Sequence, residues 1–252
     1  MKRRHTTRTS GKFREIAALL GCCVLSACGS PSEPSAADQG RQLFESKALS
    51  ESHLNDYTCA TCHDAEAGTP PSKKPGGALA GVTLRTSFWG GQQADLLGSI
   101  NACRNYFMGD NQPLAASDEQ ARSLYAYLAS LEPGDAKPTP FTIVTSIEAL
   151  PRGAAGRGQT LFVQSCMACH GVMHAGVGRL SEKIPILPED TIAAHAEYSA
   201  RVQRLVFTEK IRHGLFLGYG GVMPPFSAEL LSDEDLSDLL EALGVIDLVG
   251  SE

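Results

Sequence analysis

The sequence CATCH occupies residues 59–63, and the sequence CMACH occupies residues 166–170. This Cys-x-x-Cys-His spacing attaches haem covalently, because two thiols one helical turn apart can form thioethers to the two vinyl groups of one porphyrin. The histidine that follows then lies beneath the ring and can bind the iron. The sequence therefore predicts two covalently bound haem c groups. Their thioether residues would be Cys59, Cys62, Cys166 and Cys169, and their proximal iron ligands would be His63 and His170.

Two other uses of paired cysteines must be weighed against haem. The four thiols of the two motifs are enough for a structural zinc site. A single Cys-x-x-Cys pair is also typical of a thioredoxin-like dithiol. Neither alternative explains why a histidine follows each pair directly, or why the surroundings of each pair are repeated along the chain. The pattern favours haem.

The residues around the two motifs form an internal repeat. The run GRQLF at residues 40–44 precedes the first motif, and GQTLF at residues 158–162 precedes the second. After each motif come a methionine, the triplet Ser-Asp-Glu and a run with leucines at helical spacing. The later members are offset by 115 residues in every case: Met108, Ser117, Asp118 and Glu119 correspond to Met223, Ser232, Asp233 and Glu234. Each half is therefore predicted to run helix, haem motif, loops, methionine, helix.

Composition divides the chain into segments. The sequence predicts a signal peptide at 1–27, a flexible tether at 28–38, a first domain at 39–131, a linker at 132–151 and a second domain at 152–252. The linker is rich in proline and glycine, which favour turns and loops. Its β-prone part, residues 141–147, is expected to pack along a domain rather than to extend into solvent.

Each half resembles class I cytochrome c, over about residues 39–131 and 152–246. The resemblance implies an all-α fold with two tandem domains, each a small helical shell around one covalently bound haem. It also implies that the terminal helices of each domain cross and that the distal iron ligand is a methionine. Domains of this size bury little apolar surface of their own, so the haem would supply much of the core.

Two methionines are candidates for the distal position. Of the five in the chain, Met1 leaves with the signal, and two others lie within or beside the second haem motif. Met108 follows His63 by 45 residues and Met223 follows His170 by 53, which leaves room for the chain to wrap over a haem. The sequence around Met223, Met-Pro-Pro-Phe, also resembles the ligand loop of the family.

Cys103 is the alternative to Met108 as the distal ligand of the first haem. The stretch INACRNYFMG at residues 100–109 resembles a segment of thiosulfate dehydrogenases, in which a cysteine binds the haem iron. The internal repeat favours Met108, because its partner in the second half is Met223. A third reading makes Cys103 a buried, inert thiol.

The first 27 residues have the order of an export signal, with a basic start, an apolar run and small residues before a cysteine. They resemble a bacterial lipoprotein signal, which implies cleavage before Cys28 and a lipid on its thiol. An uncleaved membrane anchor is less favoured, because the apolar run from Ile16 to Ala27 is shorter than the ~20 residues that span a bilayer. Aspartate does not follow Cys28, which in such lipoproteins indicates the outer rather than the inner membrane. We expect a lipid-anchored protein on the periplasmic side.

Charge restricts the partners of the mature chain. Removal of residues 1–27 takes six of the 22 basic residues and one of the 28 acidic residues, which leaves a net charge of −11. Such a surface repels nucleic acid and favours redox partner proteins with basic docking surfaces.

An iron that carries both histidine and methionine has no open position for a substrate, so it suits outer-sphere electron transfer. We therefore expect a dihaem electron carrier rather than a catalyst. The alternative is an enzyme, similar to thiosulfate dehydrogenase, that uses the first haem together with Cys103. A peroxidase would require one iron to lose its distal ligand.

Overall fold

The structure is a computed structural model that describes residues 33–66, 73–131, 140–147, 150–215 and 222–245. Within these ranges most of the regular structure is helical, in agreement with the predicted all-α class. The predicted signal peptide and Cys28 lie outside the described residues. The helices are α1 (Ala36–Glu45), α2 (Cys59–Cys62), α3 (Leu96–Tyr106), α4 (Glu119–Ser130), α5 (Ala155–Ser165), α6 (Met167–His170), α7 (Glu189–Ala194), α8 (Ala200–His213) and α9 (Asp233–Ala242). Two short strands, β1 (His63–Asp64) and β2 (Gly77–Ala78), pair in parallel.

Serine caps start the first and last helices. The Ser35 hydroxyl accepts a hydrogen bond from the Asp38 amide, and the Asp38 carboxylate accepts one in return from the Ser35 amide. This capping box satisfies amides that the first helical turn leaves without partners. Helix α1 therefore begins inside the segment predicted as a flexible tether, residues 28–38, and that boundary was placed too late. Ser232 and Asp235 form the same box before α9.

The corresponding start of α4 differs by one residue from the repeat. Its N-cap is Asp118 rather than Ser117, and the Asp118 side chain caps no helical amide. Instead the carboxylate accepts a hydrogen bond from the Ala115 amide at 2.8 Å. The side chain therefore stabilises the turn before the helix.

Two glycines allow the terminal helices of each half to cross in close contact. A Cβ added at Gly40 in α1 would lie 2.0 Å from the Ser123 carbonyl oxygen of α4. A Cβ added at Gly158 in α5 would lie 1.9 Å from the Asp238 carbonyl oxygen of α9. Both distances are far inside van der Waals contact, so only glycine permits these crossings.

One apolar core packs around each pair of crossing helices. Phe44 and Tyr127 pack in the first core with ring centroids 5.4 Å apart. Phe162 packs in the second core with the leucines of α9, which are fully buried, as their spacing predicts. None of the helices in the described ranges is long and apolar enough to cross a membrane.

The two halves pack directly against each other. Cys169 and Leu180 of the second half contact the first core. The Lys73 ammonium lies 2.8 Å from a carboxylate oxygen of Asp235. Residues 140–147 of the predicted linker also contact both halves: Ile143 lies against Gly90, and the Val144 carbonyl bonds to His213. The expectation that this segment packs along the folded chain is confirmed.

Candidate haem sites

The first Cys-x-x-Cys-His run begins as one helical turn, α2. Thr58 caps this turn, because its hydroxyl accepts from the Thr61 amide and the two side chains form a reciprocal box. Cys59 and Cys62 therefore lie one turn apart. Lys74 holds the end of the turn by donating to the Ala60 carbonyl at 2.9 Å. The local sequence thus fixes the spacing between the two thiols before any cofactor is considered.

His63 follows α2 in an extended conformation and begins β1. Its Nδ1 lies 2.9 Å from the Gly76 carbonyl oxygen. A carbonyl can only accept, so Nδ1 carries the hydrogen and Nε2 keeps its lone pair for a metal. Burial, together with the Arg85 charge, lowers the pKa of His63 to about 4. The imidazole is therefore neutral at physiological pH, as metal binding requires.

Gly76 leaves space for this imidazole because it has no side chain. A Cβ at position 76 would lie 2.2 Å from His63 Cε1 and 2.4 Å from Nδ1. Any side chain there would push the ring out of place. The acceptor is Gly76 because the pairing of β1 with β2 sets the register.

A cavity of about 890 Å³ opens beside His63. This volume lies within the ~300–1,000 Å³ typical of sites for small molecules and cofactors. The five predicted first-site residues all line it: Cys59, Cys62, His63, Cys103 and Met108. Two aromatic residues, Phe88 and Trp89, line it as well. The structure therefore brings together both thiols, the proximal histidine and both candidate distal ligands.

Arg85 adds a charge to this cavity. Its Nη2 donates to the Ala78 carbonyl at 3.0 Å, but its Nε is buried without a hydrogen-bond partner. A buried guanidinium nitrogen without a partner is costly, and it favours an anionic group beside it. Haem carries propionates, so an apolar cavity with two thiols, a neutral histidine and this guanidinium fits haem c. Nothing in the sequence around Arg85 indicates the cavity, so the role of this residue could not be predicted.

Arg104 organises the loop that carries Met108. The guanidinium is almost fully buried and forms a 2.5 Å ion pair with Asp110, while its Nε donates to the Leu49 carbonyl at 2.9 Å. The Ser50 hydroxyl donates to the Met108 carbonyl at 3.0 Å. The Met108 side chain, only 4% exposed, is thereby fixed in the first core.

Cys103 lies one turn before Met108, near the end of α3. The Met108 amide donates to the Cys103 carbonyl at 3.3 Å, and both residues line the cavity. Burial raises the pKa of the Cys103 thiol to about 12. The thiol is therefore protonated at neutral pH in the polypeptide, whereas a methionine sulfur needs no proton loss to bind a metal.

The histidine of the second motif makes the same kind of hydrogen bond as His63, but it lies in a helix rather than in an extended segment. His170 ends α6, and its Nδ1 lies 2.9 Å from the Pro185 carbonyl oxygen. Burial lowers the pKa of His170 and raises that of the Cys166 thiol to about 12. Met223 packs against the second core, which contains Cys166.

The structure shows no corresponding arrangement of zinc ligands within the described residues. Across the described ranges, no three His, Cys, Asp or Glu side chains come together as a metal-binding cluster. All five cysteines in these ranges are free thiols.

A comparison with known families agrees with this site. Residues 153–241 match the family model described as cytochrome c oxidase, cbb3-type, subunit III. The matched range contains Cys166, Cys169, His170 and Met223. The second half is thus similar to a cytochrome c domain, which supports a haem-based electron-transfer cytochrome with covalently bound haem c. No curated protein matches the chain.

Proposed function

We propose that the chain is a dihaem cytochrome c, with one haem in each of two tandem domains, that carries electrons between redox partner proteins. In each domain a cysteine pair would form the thioethers, and a histidine and a methionine would bind the iron. The first set is Cys59, Cys62, His63 and Met108, and the second is Cys166, Cys169, His170 and Met223. A haem bound in this way supplies a one-electron iron couple, whose potential the methionine raises.

One observation carries the proposal to the first half, which the family model does not cover. Both motifs end in a neutral, partly or fully buried histidine whose Nδ1 donates to a backbone carbonyl at 2.9 Å, leaving Nε2 for a metal. The glycine crossings at Gly40 and Gly158 add a second parallel. Two halves that repeat both the ligand geometry and the helix contact support two haems better than one.

The chain's own residues support electron carriage. Apolar walls and buried aromatic side chains around the first cavity limit the access of water, which favours a stable iron couple over substrate binding. Two methionines at the distal positions would leave no open coordination site. We propose further that the protein is exported and anchored through a lipid on Cys28, most simply to the outer membrane, and that its acidic surface docks basic partners.

The mass of the mature protein tests the number of haems. We expect two covalently bound haem groups, and digestion should give haem-bearing peptides that contain Cys59–Cys62 and Cys166–Cys169. A mass that corresponds to one haem, on the second peptide alone, would contradict the dihaem proposal. We expect a carrier to exchange electrons rapidly with basic cytochromes. We do not expect thiosulfate to reduce it, and we do not expect it to turn over peroxide.

A thiosulfate-oxidising enzyme is the second candidate, because the Cys103 thiol lines the same cavity as His63. Visible spectra of two variants separate these functions. For a carrier, Met108→Leu should remove the methionine–iron band of the first haem, while Cys103→Ala should leave it intact. If Cys103→Ala instead abolishes a low-potential thiolate signature and thiosulfate oxidation, the enzyme is the correct reading.

A further inference from the structure

The wall of the first cavity is built partly by residues from outside the first predicted domain. Pro224 and Pro225 of the second half line it, next to Met223. Residues of the linker also line it, among them Phe141 and Ile143. The first haem site is therefore closed by the same loop that presents the candidate distal ligand of the second site.

This loop is fixed to the end of α8. The Leu215 amide donates to the Met223 carbonyl at 3.0 Å, and the Phe226 amide donates to the Ile211 carbonyl at 2.8 Å. Gly214, with a φ of +49°, passes so close that an added Cβ would lie 2.3 Å from the Met223 oxygen. Two consecutive prolines further restrict the backbone. The position of Met223 and the position of the prolines therefore cannot change independently.

The linker segment is fixed to the same part of the second half. The Thr142 amide donates to the Glu229 carboxylate at 2.9 Å. The buried ring of His213 donates from Nε2 to the Val144 carbonyl at 2.6 Å, which leaves Ile143 against Gly90 of the first half. Both external parts of the wall thus rest on α8 and the loop that follows it.

We infer that residues 223–226 form a shared wall: they hold the distal methionine of the second haem and exclude water from the first, so ligation in the second half sets the potential in the first. This inference rests on the proposed presence of two haems. The physical link is hydration. A ferric haem carries one more positive charge than a ferrous haem, so entry of water favours the ferric state and lowers the potential.

Four variants test the shared wall by redox titration of the first haem. Met223→Leu removes the second distal ligand, and Pro225→Ala alters the wall while keeping Met223. Ile143→Ala opens the same wall from the linker side. Met173→Leu is the matched control, because Met173 packs on the second core but does not line the first cavity. The methionine–iron band of each haem, assigned by comparison with Met108→Leu, provides a readout that does not depend on activity.

We expect Met223→Leu and Pro225→Ala each to favour the ferric state of the first haem about tenfold, which is about 59 mV for a one-electron couple. Ile143→Ala should lower the same potential and leave the second haem unchanged, while Met173→Leu should leave the first haem unchanged. An unaltered first potential in Pro225→Ala would overturn the inference, even if Met223→Leu shifts it, because direct charge coupling between the haems would then suffice.

Haem stoichiometry is measured by mass before each titration. A single haem in the wild-type protein would refute the proposed function itself. Two haems with a first potential that ignores Pro225 would refute the shared wall alone.

Discussion

Replacing Gly158 by alanine should lower the free energy of unfolding by about 3 kcal/mol, at the upper end of the range for overpacked contacts. The added Cβ would lie 1.9 Å from the Asp238 carbonyl oxygen and 2.5 Å from its carbon. These are backbone atoms in the middle of α9, so no rotamer change can relieve the clash. The two helices must separate, and the leucines of α9 would lose contacts with Phe162.

Gly156 provides a control in the same helix. Within the described part of the chain, no outside atom lies within 4 Å of a Cβ built at this position. Gly156→Ala should therefore cause no loss, and the better helix propensity of alanine should raise stability by up to about 1 kcal/mol. Thermal unfolding of the haem-bearing proteins, followed by circular dichroism, compares the two. Equal midpoints for both variants would mean that the helices do not cross at Gly158.

Arg212→Met should be at least as damaging, with an expected loss of about 3 kcal/mol or more. The guanidinium, only 1% exposed, donates to the Leu231 carbonyl at 2.5 Å and to the Asp233 carboxylate at 2.7 Å. It also reaches the carbonyls of Phe226 and Ser227 at 3.4 Å. Methionine fills similar space but donates nothing, and each buried acceptor left without a donor costs about 1–3 kcal/mol.

Arg201→Met is the control for loss of an arginine from the same helix, because Arg201 lies exposed at the start of α8. Its loss should change stability by no more than about 0.5 kcal/mol. Chemical denaturation curves of the two variants measure the difference. A loss in Arg212→Met that is no larger than in Arg201→Met would show that the loop after Met223 does not depend on this cation.

The features that the sequence predicted correctly depend on residues close together in the chain. The spacing of Cys59, Cys62 and His63 follows from one helical turn and its cap. The leucine spacing in α9 is equally local. Gly40 and Gly158 could be predicted because the repeat pairs each with a nearby phenylalanine and a later helix.

The features that were missed depend on contacts between distant residues. Gly76 receives the His63 ring only because β1 pairs with β2. Arg85 becomes notable only once a cavity surrounds it. The choice between Cys103 and Met108 remained open in the sequence because both residues, five positions apart, line one cavity.

The closure of the first cavity by residues from the second half also has a consequence for biosynthesis. The chain is made from its amino terminus, so residues 39–131 emerge before Pro224 and Pro225 exist. If the first haem is attached before the second half folds, the porphyrin enters while that side still lies open. We expect maturation to proceed in order along the polypeptide, with the later domain acting as the lid that completes the earlier one.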